Sequence, residues 1–177
     1  MKSSYTNKDL NYGDLLSSIC FSIKPKKILE FGILEGYSLK KFVDNCDKNT
    51  LIESYDLFDE FEGNGSKDSV INNFKKHTNV SINYGDFYKK YSEIEDNSYD
   101  LIHIDIANDG DVYKFALENY RQKLTAKGLL ILEGGSKIRD EVHWMKKYKK
   151  SSIVKFLNTV NNYKVIGEFP SLTIFHK

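Results

Sequence analysis

The 177-residue sequence predicts an α/β fold, one domain built on a seven-stranded, mostly parallel sheet with helices on both faces. Three observations carry this. Short apolar runs of strand length alternate with segments of helical spacing from residue 27 onward. The run at 128–132, Gly-Leu-Leu-Ile-Leu, is apolar almost throughout, the pattern of a parallel strand covered on both faces. The last two runs, 164–168 and 172–176, are joined by only Phe169-Pro170-Ser171, too short for a crossover, so one strand near an edge runs antiparallel.

The elements follow in chain order. Residues 6–22 read as a helix, weakened by Gly13 and ended ahead of Pro25, which disfavours helix in the residue before it. Residues 1–24 form a helical extension to a single domain spanning 1–177. Lys27–Phe31 is a strand, followed by a glycine turn and a helix over 36–46. Leu51–Asp56 is the second strand, and 57–67 a polar loop. The spacing of Val70, Ile71 and Phe74 predicts a helix over 68–77, and 80–84 alternates as a strand. A short helix over 87–95 precedes the strand 99–105. A helix over 111–124 turns Val112, Phe115, Ala116 and Leu117 inward, with Asp111 as its cap, and Lys127-Gly128 turns the chain into the fifth strand. Residues 138–160 read as largely helical before the closing pair.

Composition excludes several classes. Lys plus Arg number 26 against 25 Asp plus Glu, a net charge of +1, which lacks the basic footprint of a nucleic-acid binder. The run Lys146, Lys147, Lys149, Lys150 reads as a solvated helix face. Cys20 and Cys46 stand apart, in no CxxC pair, as two reduced thiols. No apolar stretch has the form of a signal peptide or a membrane span, so a soluble cytoplasmic protein is expected.

The most informative segment is Glu30-Phe31-Gly32-Ile33-Leu34-Glu35-Gly36-Tyr37-Ser38, joining the first strand to a helix. Glycines there allow a tight turn and close approach of a ligand, and the following helix offers unpaired N–H groups. A dinucleotide fingerprint wants glycine where Leu34 and Tyr37 stand, and no GKS or GKT follows to make a phosphate loop. The pattern ExGxxxGxS instead resembles motif I of class I S-adenosylmethionine-dependent methyltransferases, in the form of the small O-methyltransferases, often close to "EIGTYTGYS". The resemblance extends along the chain. Asp56 ends the second strand, Gly85-Asp86-Phe87 follow the third, 99–105 is similar to the family's "DLIHID" strand, and 128–133 to its fifth.

The resemblance implies a Rossmann-like methyltransferase domain with S-adenosylmethionine as cofactor. It places Glu30, Gly32, Gly36, Ser38, Leu57, Phe87 and Asp105 around the cofactor, Asp56 at the ribose and Asp86 at the adenine amine. It implies a small-molecule acceptor methylated at oxygen, with no nucleic acid and no membrane as partner. A DPPY- or NPPY-like motif is absent after strand four, and a large acceptor would need a partner chain or a homo-oligomer to grip it. The alternative is a module that binds S-adenosylmethionine or a nucleotide without methyl transfer.

Metal-dependent members of the resembled family hold a divalent cation with an Asp after strand four and an Asp-Asn pair after strand five. Asp105 matches the first position and Glu133 the second, while Gly134 replaces the amide. A divalent metal, if held, would have Asp105 and Glu133 as ligands with Asn108 or Asp109 adding an oxygen, and dependence on Mg²⁺ is expected to be weak or absent. The loop after strand five brings Arg139, His143 and Trp144 as candidates for an acceptor pocket. Asp105 and His143 are the catalytic candidates: Asp105 stands nearest the reacting centre, and His143 is the nearest candidate base, imidazole being the side chain best suited to moving a proton near neutrality. His103, inside a strand, reads as structural.

Overall fold

A computed structural model describes residues 12–60 and 64–177. The elements run α1 (Tyr12–Ile23), β1 (Lys27–Phe31), α2 (Tyr37–Asn45), β2 (Leu51–Asp56), α3 (Lys67–Phe74), β3 (Val80–Tyr84), α4 (Phe87–Lys90), β4 (Tyr99–Ile104), α5 (Gly110–Asn119), β5 (Leu124–Glu133), α6 (Lys137–Asp140), α7 (His143–Lys147), α8 (Ile153–Leu157), β6 (Tyr163–Ile166) and β7 (Leu172–His176). The expected first helix is present from Tyr12; its residues 6–11 lie outside the described residues.

One seven-stranded sheet has the order β3-β2-β1-β4-β5-β7-β6. β7 runs antiparallel to both β5 and β6, and the remaining pairings are parallel. Each face buries its own core. Ile28, Ile52, Leu101 and Ile131 meet Leu16, Leu39, Phe42 and Phe74 from α1, α2 and α3. Leu29, Ile102, Ile104 and Leu130 meet Val112, Tyr113, Ala116 and Ile153 from α5 and α8. These buried alternations explain why the register is fixed, since a slip of one residue would turn every side chain to the other face. The chain crosses from β3 at one edge back to β4 beside β1, so the strand order reverses between β1 and β4. In an open sheet of this kind the crevice for ligands lies at the carboxyl ends of the strands there.

Four local expectations are corrected. Lys127 and Gly128 make no turn between elements but lie inside β5: Leu124 pairs with Tyr99 and Leu129 with Leu101, so residues 125–128 bulge from the ladder. The preceding helix ends at Asn119, and a 3-10 turn, Arg121–Lys123, leads into β5. Asp109 rather than Asp111 caps α5, accepting the N–H groups of Asp111 and Val112 at 3.0 Å each. The segment 138–160 is three short helices instead of one long one, interrupted where Val142 is extended and Lys149 takes a positive φ of 50°. No helix among the described residues is long and apolar enough to cross a membrane.

Candidate functional site

The strand register builds the site. Phe31 pairs with Tyr55 and with Ile104, and Ile104 with Leu132. The next residue on each strand is therefore Gly32, Asp56, Asp105 and Glu133, one row along the carboxyl edge. Backbone bonds from Gly32 to Tyr55 (3.0 Å) and from Asp105 to Phe31 (2.9 Å) carry the ladder into this row. Gly32 has φ 90°, and a Cβ there would meet the Asp105 carbonyl oxygen at 2.0 Å, so only glycine lets β1 and β4 close at this point. Two cavities open above the row and share Gly32, Asp56, Asn64, Ile106 and Ala107.

Asp56 organises the turn between β1 and α2. One carboxylate oxygen accepts the N–H groups of Ile33 and Leu34 at 2.6 and 3.2 Å, and the other those of Phe58 at 2.7 Å and the Asn64 amide at 3.3 Å. The glycine loop thus commits two of its N–H groups to a protein carboxylate. Gly36, with φ 87°, starts α2, and a Cβ there would meet the ring of buried Phe74 at 2.7 Å.

The larger cavity, about 490 Å³, has apolar walls from Phe31, Tyr55, Leu57, Phe87 and Val112. Asp56 and Asp86 add carboxylates, and Lys150 a cation. Asp86 caps α4, its carboxylate accepting the Tyr88 N–H at 2.8 Å. Phe87 is buried in an aromatic cluster, stacked on Tyr120 at 5.0 Å and edge-on to Phe31 at 5.4 Å.

The smaller cavity, about 340 Å³, is lined by Leu34, Asp105, Arg139 and Trp144 besides the shared residues. The Asp105 carboxyl is pushed up to about 7, chiefly by burial and then by the charge of Glu133; His103 and Arg139 oppose the rise. Glu133 is fully buried, and both its oxygens accept from Arg139, Nε to Oε1 at 2.7 Å and Nη2 to Oε2 at 2.8 Å. The guanidinium lies 4.9 Å from the centre of the Trp144 ring.

Several expected residues lie elsewhere. Glu30 and Ser38 line neither cavity: Glu30 is fully buried behind the loop and accepts the hydroxyls of Ser38 at 2.5 Å and Ser54 at 2.8 Å. The register explains this, because Glu30 pairs with Ser54 on one side and His103 on the other, which brings three polar side chains onto one face. His103 completes the cluster, with Nδ1 3.4 Å from Glu30 and Nε2 2.8 Å from the Tyr12 hydroxyl, and so is structural. His143 is exposed and lines neither cavity. It opens α7, whose next two residues are the ones directed inward, Trp144 to the cavity and Met145 to the core. His143 thus stands apart from Asp105, the carboxylate it was expected to join in one cavity. Glu133, expected as a ligand only if a metal is held, has both its oxygens engaged by Arg139.

Sequence reasoning missed Asn64, Ile106 and Ala107, each of which lines both cavities. Asn64 stands in a polar loop where no periodicity marks it. The signal was Gly65: a Cβ there would meet the Leu34 carbonyl oxygen at 1.9 Å, so a glycine is what allows this loop to lie against the glycine turn and carry Asn64 over Asp56.

A family model described as a methyltransferase domain matches residues 29–133. No curated protein matches the chain. Among solved structures it is similar to an O-methyltransferase from Bacillus cereus in complex with SAH, with TM-score 0.66 and 14% identity over 98% of this chain and 84% of that one. It is similar to an SAH-bound methyltransferase from Podospora anserina, with TM-score 0.68 and 18% identity over 93% and 77%. The O-methyltransferase of tomaymycin synthesis from Streptomyces achromogenes, in complex with SAM, gives TM-score 0.65 and 14% identity over 92% and 77%. These likenesses show the fold, and the family match covers β1 through β5, the strands that build both cavities. The chain belongs to the methyltransferase domain family.

Proposed function

We propose that this protein transfers a methyl group from S-adenosylmethionine to an oxygen atom of a small molecule. The observation that carries the reading is the pair of adjoining cavities over the carboxyl edge at the β1–β4 reversal, one mostly apolar and the other ending at Asp105. An adenosine fits the first by its chemistry: Leu57 and Phe87 offer apolar contact, Asp86 an acceptor for the adenine amine, and Asp56 an acceptor for a ribose hydroxyl. Taking the ribose would require Asp56 to give up its longest contact, that to Asn64 at 3.3 Å. In the second cavity Asp56 and Asp105 are carboxylates, and Arg139 is balanced by Glu133, so the wall suits a cationic methyl donor. Relatives in the same fold that hold SAM or SAH support the same cofactor.

The cofactor supplies an already activated methyl, which passes in line to the acceptor oxygen as the carbon–sulfur bond breaks. The chain's part is to hold the two reactants in line and to remove the acceptor's proton. With His143 exposed, Asp105 is the group that removes the proton. It lines the cavity, and its carboxyl sits near neutrality, where a base works best. Arg139 and Trp144 wall the acceptor's side of the same cavity.

Incubation with S-adenosylmethionine and a panel of small phenols, catechols, carboxylic acids and amines, followed by S-adenosylhomocysteine release, tests this. Release with oxygen acceptors is expected. Release with amines alone would contradict the choice of oxygen, and release with none of the panel would favour a binding module.

A further inference from the structure

Arg139 and Glu133 are 1% and 0% exposed, and their two parallel contacts use both carboxylate oxygens. The same guanidinium donates from Nη2 to the Asn108 carbonyl at 3.2 Å and lies over Trp144. The backbone of Arg139 is held by the cap of α6, where the Ser136 hydroxyl accepts the Arg139 main-chain N–H at 3.0 Å. A divalent cation beside Asp105 would need these oxygens, because Mg²⁺ demands a near-octahedral oxygen shell. Of the other donors the sequence offers, the Asn108 amide nitrogen donates to the Ile104 and Glu133 carbonyls, both at 2.9 Å, while its Oδ1 is buried without a hydrogen-bond partner and is the one oxygen of this set left open. Asp109 caps α5 and meets Lys150 at 3.3 Å. Position 134 offers no side-chain ligand, being glycine at φ 104°, and its carbonyl accepts the Thr173 hydroxyl at 2.9 Å. Asp105 and that single amide oxygen fall short of a metal's shell, and among the described residues no group of three His, Cys, Asp or Glu could hold one.

We propose that Arg139 is the resident cation of this centre, taking the place beside Asp105 and Glu133 that a divalent metal would occupy, so that the protein works without metal. The planar fork of a guanidinium suits the role, since it meets a carboxylate through two parallel bonds and stays charged at any working pH. Arg139 is thereby a positioning residue: it neutralises Glu133 and fixes the cavity wall against Trp144. The link to methyl transfer rests on the function proposed above; the assignment of the cation does not.

Thermal unfolding of the parent, Arg139→Ala, Arg139→Lys and the double variant Glu133→Gln/Arg139→Ala, each in EDTA and then in Mn²⁺, separates the outcomes. The parent and Arg139→Lys should ignore Mn²⁺. Arg139→Ala should melt lower in EDTA and recover with Mn²⁺, by roughly 5–10 °C at about a hundredfold excess over Kd. The double variant, without the Glu133 charge, should lose that response. Should Arg139→Ala fail to fold in EDTA, its folded yield is scored with and without Mn²⁺: recovery with Mn²⁺ supports the assignment, and equal failure overturns it. A parent stabilised by Mn²⁺, or a folded Arg139→Ala that gains nothing from it, would also overturn it. S-adenosylhomocysteine added to the same samples reports on the cofactor separately, so a parent that ignores both additions contradicts the methyl-transfer reading alone.

Discussion

The carboxylate of Asp56, at the end of β2, accepts the backbone N–H groups of Ile33 and Leu34 in the turn after β1, at 2.6 and 3.2 Å. One side chain therefore both shapes the glycine loop and faces the two cavities. Asp56→Ala should lose stability as well as affinity, by about 1–3 kcal/mol in unfolding, because it strands buried donors. Binding of S-adenosylhomocysteine should weaken by tenfold or more. Denaturant unfolding and calorimetry check the two effects, and Asp56→Asn, which keeps one accepting oxygen, should fall between. A variant as stable as the parent would show that the loop does not depend on this carboxylate.

Gly32 and Gly36 both have positive φ, yet their substitutions should differ. A Cβ at Gly32 strikes the backbone of Asp105, whereas one at Gly36 strikes the ring of Phe74, a side chain that can shift. Gly32→Ala should cost at least about 2 kcal/mol and separate the ends of β1 and β4. Gly36→Ala should cost less. Equal losses in denaturant midpoint would contradict the close approach at Gly32.

Much of this is legible in the sequence because it depends on local pattern. Lys27–Phe31, Leu51–Asp56 and Val80–Tyr84 fall where their apolar runs end, and the antiparallel closing strands follow from a connection too short for a crossover, three residues as expected and five, 167–171, in the structure. The residues of the carboxyl-edge row are legible because each ends a strand. What escapes depends on register and long-range packing. Glu30 stands in the right motif, but only its pairing with Ser54 and His103 turns it away from the cavities. His143 and Trp144 are neighbours with equal claims in sequence, and the direction of α7 separates them. The Arg139–Glu133 pair joins residues six apart across a turn with two glycines of positive φ, a geometry that composition does not signal.

Asp105 should leave a pH signature. Its folded value of about 7 lies above the ordinary 3.8, so the folded state holds the proton more tightly than the unfolded chain. Its contribution to stability is fully present below about 3.8 and is lost as pH rises through about 7. Relative to Asp105→Asn, the parent should therefore lose stability between these pH values, on the order of 2–4 kcal/mol, and run parallel to the variant above them. Unfolding of both proteins across this range measures it, and parallel curves throughout would refute the raised carboxyl.

The same residue should dominate catalysis. Asp105→Asn is expected to slow turnover by about 10²–10⁴-fold, the usual contribution of a general base. His143→Ala, altering an exposed side chain that lines neither cavity, should change turnover by less than about twofold and stability by no more than about 0.5 kcal/mol. A strong loss in His143→Ala with Asp105→Asn near normal would reverse the assignment.

The most direct test of the central claim, that the paired cavities hold S-adenosylmethionine, is thermal unfolding of the parent with S-adenosylhomocysteine and, separately, with NAD. A ligand that binds the folded state alone raises the melting temperature by mass action. The expected result is a rise that grows with S-adenosylhomocysteine concentration and none with NAD, whose fingerprint is broken at Leu34 and Tyr37. An equal rise with NAD, or no rise with S-adenosylhomocysteine, would contradict the claim.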